Sequence, residues 1–190
     1  MFDRQIVAYI IDGLWIFWGV YWLAKSFGNK RTVYRRGRGL RLIYLAVVVF
    51  AWYVAERHGL VPHIRLYHET FATQILGVGL CAAGIALALW ARRVLGTNWS
   101  GVVTLKENHE LIQSGPYGYV RHPIYSGILL GILGSLIALA PFIGSIFVLA
   151  LALFTLKVKS LMEEKIMLET FPEQYPQYMQ QVRSLIPHVW

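Results

Sequence analysis

The chain has 190 residues, 56% of them hydrophobic and only 15% charged, with a formal net charge of +8 and a mean hydropathy of +0.49. That is too apolar for an ordinary soluble domain, and it contains runs of the ~20 residues that a bilayer-crossing helix needs. A single cysteine, Cys81, excludes an internal disulfide framework and a cysteine metal cluster, and the length suits one domain.

The first apolar run, residues 6–24, has no marked basic segment before it and no small-residue cleavage site. It reads as a retained helix and not as a signal peptide. Asp12 lies within it, where an ionisable group either has a function or reaches the interface. A short second run covers residues 40–55 and a third residues 71–90. The fourth, residues 124–156, is too long for one crossing, and Pro141 and Gly144 break it into two short helices joined by a tight hairpin at 140–141.

The expected fold is therefore an all-α integral membrane protein. It has about five transmembrane helices, the last two forming the hairpin, then a C-terminal amphipathic segment and no Rossmann domain. In that tail, Leu168, Phe171, Tyr175, Tyr178, Val182, Leu185 and Ile186 recur three and four apart, while Pro172 and Pro176 are expected to interrupt it. The stretch GVGLCA at residues 77–82 imitates a dinucleotide fingerprint but has no strand before it. Small residues that let helices approach closely explain it, and likewise the G-x-x-x-G of Gly127 and Gly131.

The basic residues are gathered in loops, so they set topology and meet lipid headgroups; no nucleic-acid partner is implied. Lys25, Lys30, Arg31, Arg35, Arg36, Arg38 and Arg41 follow the first run without an acidic residue. Arg92, Arg93, Lys106 and Arg121 follow the third, whereas the loop between the second and third balances Arg57 and Arg65 with Glu56 and Glu69. The positive-inside rule puts the first and third connections, and the C-terminus, in the cytosol and the N-terminus outside. His58, His63 and His68 recur five apart with no completing carboxylate, so no metal site is expected.

Residues 98–127 carry the strongest chemical signal. Gly115 and Pro116 mark a turn, and Pro123 suits the first turn of a helix. Arg121 and His122 then stand at a helix N-terminus, where an anion such as a ligand carboxylate is favoured. Tyr117, Tyr119 and Tyr125 add aromatic faces. An interfacial aromatic belt with a basic flank accounts for the same residues, and the two readings stand side by side. Lys157, Lys159, Glu163 and Glu164 emerge on the same side at the end of the last span, with Lys159 and Glu163 four apart on one face.

The pieces NWS at 98–100, HELIQSGPY at 109–117, RHPIYSG at 121–127, the pair Glu163–Glu164, FPEQYPQY at 171–178 and LIP at 185–187 together resemble the isoprenylcysteine carboxyl methyltransferase family. That family lies within the wider group of membrane phospholipid methyltransferases. The resemblance covers the C-terminal half, and residues 1–70 carry no family signature. It implies one membrane-embedded domain whose methyltransferase core spans 71–190 and binds S-adenosyl-L-methionine.

Carried over residue by residue, the cofactor contacts are Thr104, His109, Glu110, Leu111, Ile112, Tyr117, His122, Pro123, Ile124, Tyr125, Glu163 and Glu164. Lys159 and Arg121 are the expected substrate contacts, with no residue assigned as general acid or base. Tyr117, His122 and Tyr125 are expected to point inward and Tyr119 to sit in the belt. Two positions depart from the family: Lys159 replaces an arginine, keeping the charge without the bidentate fork, and Thr104 replaces a glutamine. The implied reaction is carboxyl O-methylation of an isoprenylcysteine-like, amphipathic substrate entering from the lipid. The alternatives are phospholipid N-methylation, an NADPH-dependent sterol reductase-like activity and a non-catalytic scaffold. The short form points to a prokaryotic inner membrane.

Overall fold

The computed structural model describes residues 2–26, 32–35, 64–96, 104–106, 111–139 and 142–186. The expected second span at 40–55 lies outside the described residues, as do His58 and His63. In chain order come α1 (Arg4–Ser26), β1 (Thr32–Arg35), α2 (Phe71–Leu95) and β2 (Thr104–Lys106). A 3-10 turn (Gly115–Gly118), α3 (Pro123–Leu139), α4 (Gly144–Thr170) and α5 (Gln174–Gln181) follow.

Helices α1, α2 and α4 are long and apolar enough to cross a bilayer, and α3 is a shorter apolar helix. Their outer faces expose Ile16, Phe17, Phe147 and Phe154, a cost in water but not against lipid tails. The chain is an integral membrane protein with a helical bundle, and no Rossmann unit occurs among the described residues. The all-α expectation is amended by one short antiparallel ladder, β1 with β2, in which Arg35 lies opposite Thr104. The ladder brings the strand that follows α1 against the strand that follows α2.

Helix α2 starts at Thr70, whose hydroxyl accepts from Thr73 N (3.2 Å) while Thr73 Oγ1 accepts from Thr70 N (2.9 Å). This reciprocal cap satisfies two otherwise orphan donors. Along α2 the buried residues Gln74, Gly77, Cys81, Gly84, Ile85, Ala88 and Ala91 fall three, four and seven apart, which is one helical face. That face meets α3 in the bundle's closest seam. A Cβ on Gly84 would lie 2.4 Å from Gly131 N, and one on Gly134 2.3 Å from Cys81 N. The small-residue reading is corrected in detail: Gly77 is in the seam and Gly79 faces open space, while Gly84 and Gly134 complete the contact. Gly131 additionally admits the Trp15 ring of α1.

Helix α1 lays Val7 and Ile11, with Leu14, Trp15 and Trp18, against Cys81, Ile85 and Ala138. Trp15 Nε1 donates to Ser135 Oγ at 3.0 Å. Asp12 points away from this stripe and is exposed. At the far end of α3, Arg4 Nη2 donates to Leu139 O (2.6 Å), a cation at a helix C-terminus.

Helix α3 ends at Leu139 and α4 begins at Gly144, while the expected hairpin residues 140–141 lie outside the described residues. Two boundaries differ from expectation. Helix α4 runs on to Thr170, well past the end of the apolar run at 156, and carries Glu163 and Glu164 where they were expected, on the emerging helix. Only Pro172 breaks the tail, because Pro176 occupies the first turn of α5, where a missing N–H removes no helical bond. After α5 the chain extends beside the start of α3, with Val120 and Arg183 in a parallel bridge.

Candidate functional site

The opening of the site is a backbone problem. Gly115 has φ +60, and a Cβ there would meet Val94 Cγ2 at 3.2 Å, so glycine alone enters this turn without strain. The turn buries Pro116 and Tyr117. Residues 120–122 then run beside the tail: Arg121 N donates to Arg183 O (2.8 Å) and His122 N to Ser184 O (3.0 Å). Pro123 begins α3 as expected.

Onto this frame α4 brings its two glutamates, and they differ. Glu164 is 5% exposed. Its Oε1 accepts from Arg121 Nε (3.1 Å) and Nη2 (2.8 Å), from Ser184 Oγ (3.1 Å) and from His122 Nε2 (3.1 Å). Arg121 Nη1 turns to the carbonyls of Val182 and Met179. Removing either partner of such a buried, hydrogen-bonded ion pair costs about 3–5 kcal/mol. Glu163 is more open, its side chain 25% exposed, with Oε2 3.6 Å from His122 Nδ1. Its Oε1 accepts from Tyr125 OH at 2.5 Å. The imidazole of His122 thus stands between two carboxylates. It also stacks parallel to Tyr125 at 5.4 Å between centroids, and Lys159 Nζ lies 5.1 Å from the centre of the Tyr125 ring.

Four of the remaining expected residues, Ile112, Tyr117, Pro123 and Ile124, are buried or half-buried beneath these groups. Tyr117, Ile124 and Tyr125 cluster with Ala91 and Leu185, and Ile112 packs against them; Pro123 is also buried. Leu111 packs against the separate cluster of Tyr175, Tyr178 and Val182. Tyr119 is 70% exposed, apart from all of them. Of Thr104 only the backbone, in β2, is described, and His109 and Glu110 lie outside the described residues. Arg121, expected on the substrate side, has its guanidinium turned to Glu164 and to tail carbonyls.

The tail's part in this site was not read from the sequence. Tyr178 OH donates to Tyr117 O (2.6 Å) and Ser126 Oγ to Leu185 O (2.5 Å). Burial pushes the Tyr117, Tyr175 and Tyr178 phenols above their usual range, so they stay protonated. The paired tyrosines and the LIP motif were the available signal; Ser184 gave none.

A helical membrane bundle that gathers His122, Tyr125 and two glutamates at one helix start matches the family model described as phospholipid methyltransferase over residues 72–174, and the chain belongs to that family. Among curated proteins it is 34% identical over 128 residues to protein-S-isoprenylcysteine O-methyltransferase of Schizosaccharomyces pombe, covering 65% of this chain and 52% of that protein. It is 27% identical over 173 residues to the probable protein-S-isoprenylcysteine O-methyltransferase of Oryza sativa subsp. indica, covering 89% and 88%. The chain spans about half the length of the yeast relative. The fold resembles the solved eukaryotic intramembrane Ras methyltransferase, isoprenylcysteine carboxyl methyltransferase. The TM-score is 0.58 at 22% identity, over 81% of this chain and 55% of that one.

Proposed function

We propose that this chain is a membrane methyltransferase that uses S-adenosyl-L-methionine to O-methylate the carboxylate of an isoprenylcysteine-like substrate reaching it from the lipid. The observation that carries the reading is Glu163, a part-exposed carboxylate held by Tyr125 OH and beside His122 Nδ1, with Lys159 on the Tyr125 ring. An acidic acceptor suits the cofactor's ammonium or ribose hydroxyls. In this reading Glu163, His122 and the Tyr125 ring hold the cofactor, with residues 109–112 and Thr104 completing its cradle. Tyr117, Pro123 and Ile124 support it from below. Bound there, the cofactor supplies a methyl group on a cationic sulfonium.

The protein's own task is then alignment. A carboxylate acceptor is ionised at neutral pH and needs no general base, so holding it in line and excluding water provides most of the acceleration. Lys159 is the cation suited to hold that carboxylate. A cation on the acceptor side favours an anionic acceptor over the ammonium of a phospholipid headgroup, which would also have to lose a proton first. By the charge rule the site faces the cytosol, with the N-terminus on the opposite side of an inner membrane. Calorimetric titration of the detergent-purified protein with S-adenosylhomocysteine should give saturable binding, and with NADPH none. Binding of NADPH, or of neither ligand, overturns the reading.

A further inference from the structure

The cofactor's amino-acid end carries a carboxylate as well as an ammonium, and the two cations described at the site are engaged elsewhere. Arg121 is spent on Glu164 and on tail carbonyls, with its side chain 8% exposed. Lys159 lies on the Tyr125 ring and is the cation suited to the acceptor. The geometry points to Arg35, which the β1–β2 ladder sets across from Thr104, as the residue that binds the cofactor's carboxylate. This rests on the cofactor reading above, in which Thr104 belongs to the cradle.

The placement is a matter of register. Thr32 pairs with Lys106, Tyr34 with Leu105 and Arg35 with Thr104, so β1 takes two steps where β2 takes one. Val33 is the extra residue of a bulge. An unbroken antiparallel register running on from Thr32 and Lys106 would set Val33 opposite Leu105 and Tyr34 opposite Thr104. The bulge moves the pairing on by one, so an arginine and not a tyrosine stands across from Thr104. Residues directly opposed in an antiparallel ladder share one of its faces. Strand β2 also lies against α4, the helix that carries Glu163. The ladder is thereby tied to the element that holds the other end of the cofactor.

The chemistry suits an anion. Residues 25–41 hold seven basic residues and no acidic one, so the local field is positive. An arginine stays charged throughout the physiological range and meets a carboxylate with two parallel hydrogen bonds. The segment after α1, which carries no family signature, gains a direct part in the site.

The test compares S-adenosylhomocysteine with its decarboxylated analogue on the intact, detergent-purified protein. The variants are Arg35→Gln and Arg35→Lys, with Arg36→Gln as a control of equal net charge. Wild type should favour the carboxylate-bearing ligand by about tenfold or more, the worth of a charged hydrogen bond. Arg35→Gln should weaken S-adenosylhomocysteine about tenfold and leave the decarboxylated ligand within about twofold, so the preference disappears. Arg35→Lys keeps the charge without the fork and should retain a preference of about threefold. Arg36→Gln should keep the preference of wild type.

A preference that survives Arg35→Gln overturns the proposal. So does an equal drop in Arg36→Gln, which would mean a diffuse field of charge, or loss of both ligands by the same factor, which would mean support of the fold alone. Equal binding of the two ligands by wild type overturns it too, and leaves the cofactor reading standing. If wild type binds neither ligand, the cofactor reading itself falls and this proposal with it.

Discussion

Replacing Glu163 by alanine is expected to reduce S-adenosylhomocysteine affinity at least a hundredfold while leaving the protein folded. The side chain accepts from Tyr125 OH at 2.5 Å and stands beside His122 Nδ1. In the proposed complex it is also the carboxylate that meets the ligand's donors. Two charged hydrogen bonds at about 1.5–3 kcal/mol each account for a loss of that size. Glu163 is partly exposed on a long helix, so its removal opens no buried cavity and leaves the Arg121–Glu164 pair in place. Thermal unfolding in detergent should shift by only a few degrees, and the titration reports the affinity. Wild-type affinity in Glu163→Ala would remove this residue from the site.

Gly84→Leu has a different and equally large expected result: no folded protein. A Cβ at Gly84 would lie 2.4 Å from Gly131 N and 2.5 Å from Gly127 O, both backbone atoms that no rotamer change relieves. Helices in lipid associate through close packing of small residues and not through the hydrophobic effect, so forcing α2 from α3 removes the contact itself. Overpacking of this kind costs about 1–3 kcal/mol or more even where side chains can yield. The control is Gly79→Leu, only five residues away, where a Cβ meets nothing within 4 Å. Size-exclusion profiles should show a monodisperse peak for Gly79→Leu and an aggregate for Gly84→Leu. Matching profiles would contradict the seam described above.

The contrast between these two glycines also marks how far the sequence was legible. Apolar runs announce membrane helices because every lipid-facing position must be apolar, and Pro141 with Gly144 announces the hairpin. Which small residue faces which helix is a matter of phase. GVGLCA displays Gly77 and Gly79 alike, and only packing against α3 separates them.

The end of α4 was illegible for a related reason. Apolarity stops near the membrane boundary, but the backbone ladder continues through KVKSLMEEKIMLET to Thr170. At the site, R-H-P-x-Y and the glutamate pair were conspicuous as residue types. Their division of labour was not, because Glu163 and Glu164 point about 100° apart on one helix, and what each meets is decided by Ser184 and Tyr125, 20 and 38 residues away in sequence. The β1–β2 pairing, between segments about 70 residues apart, left no local trace either.

The central claim is methyl transfer to a carboxylate. Its most direct test incubates the purified chain, in lipid vesicles, with methyl-labelled S-adenosylmethionine and a small farnesylated cysteine derivative. The account predicts label in the prenylcysteine that is released as methanol by base, the signature of an ester. Label that stays in the lipid through base treatment, or no transfer to either acceptor, would contradict it.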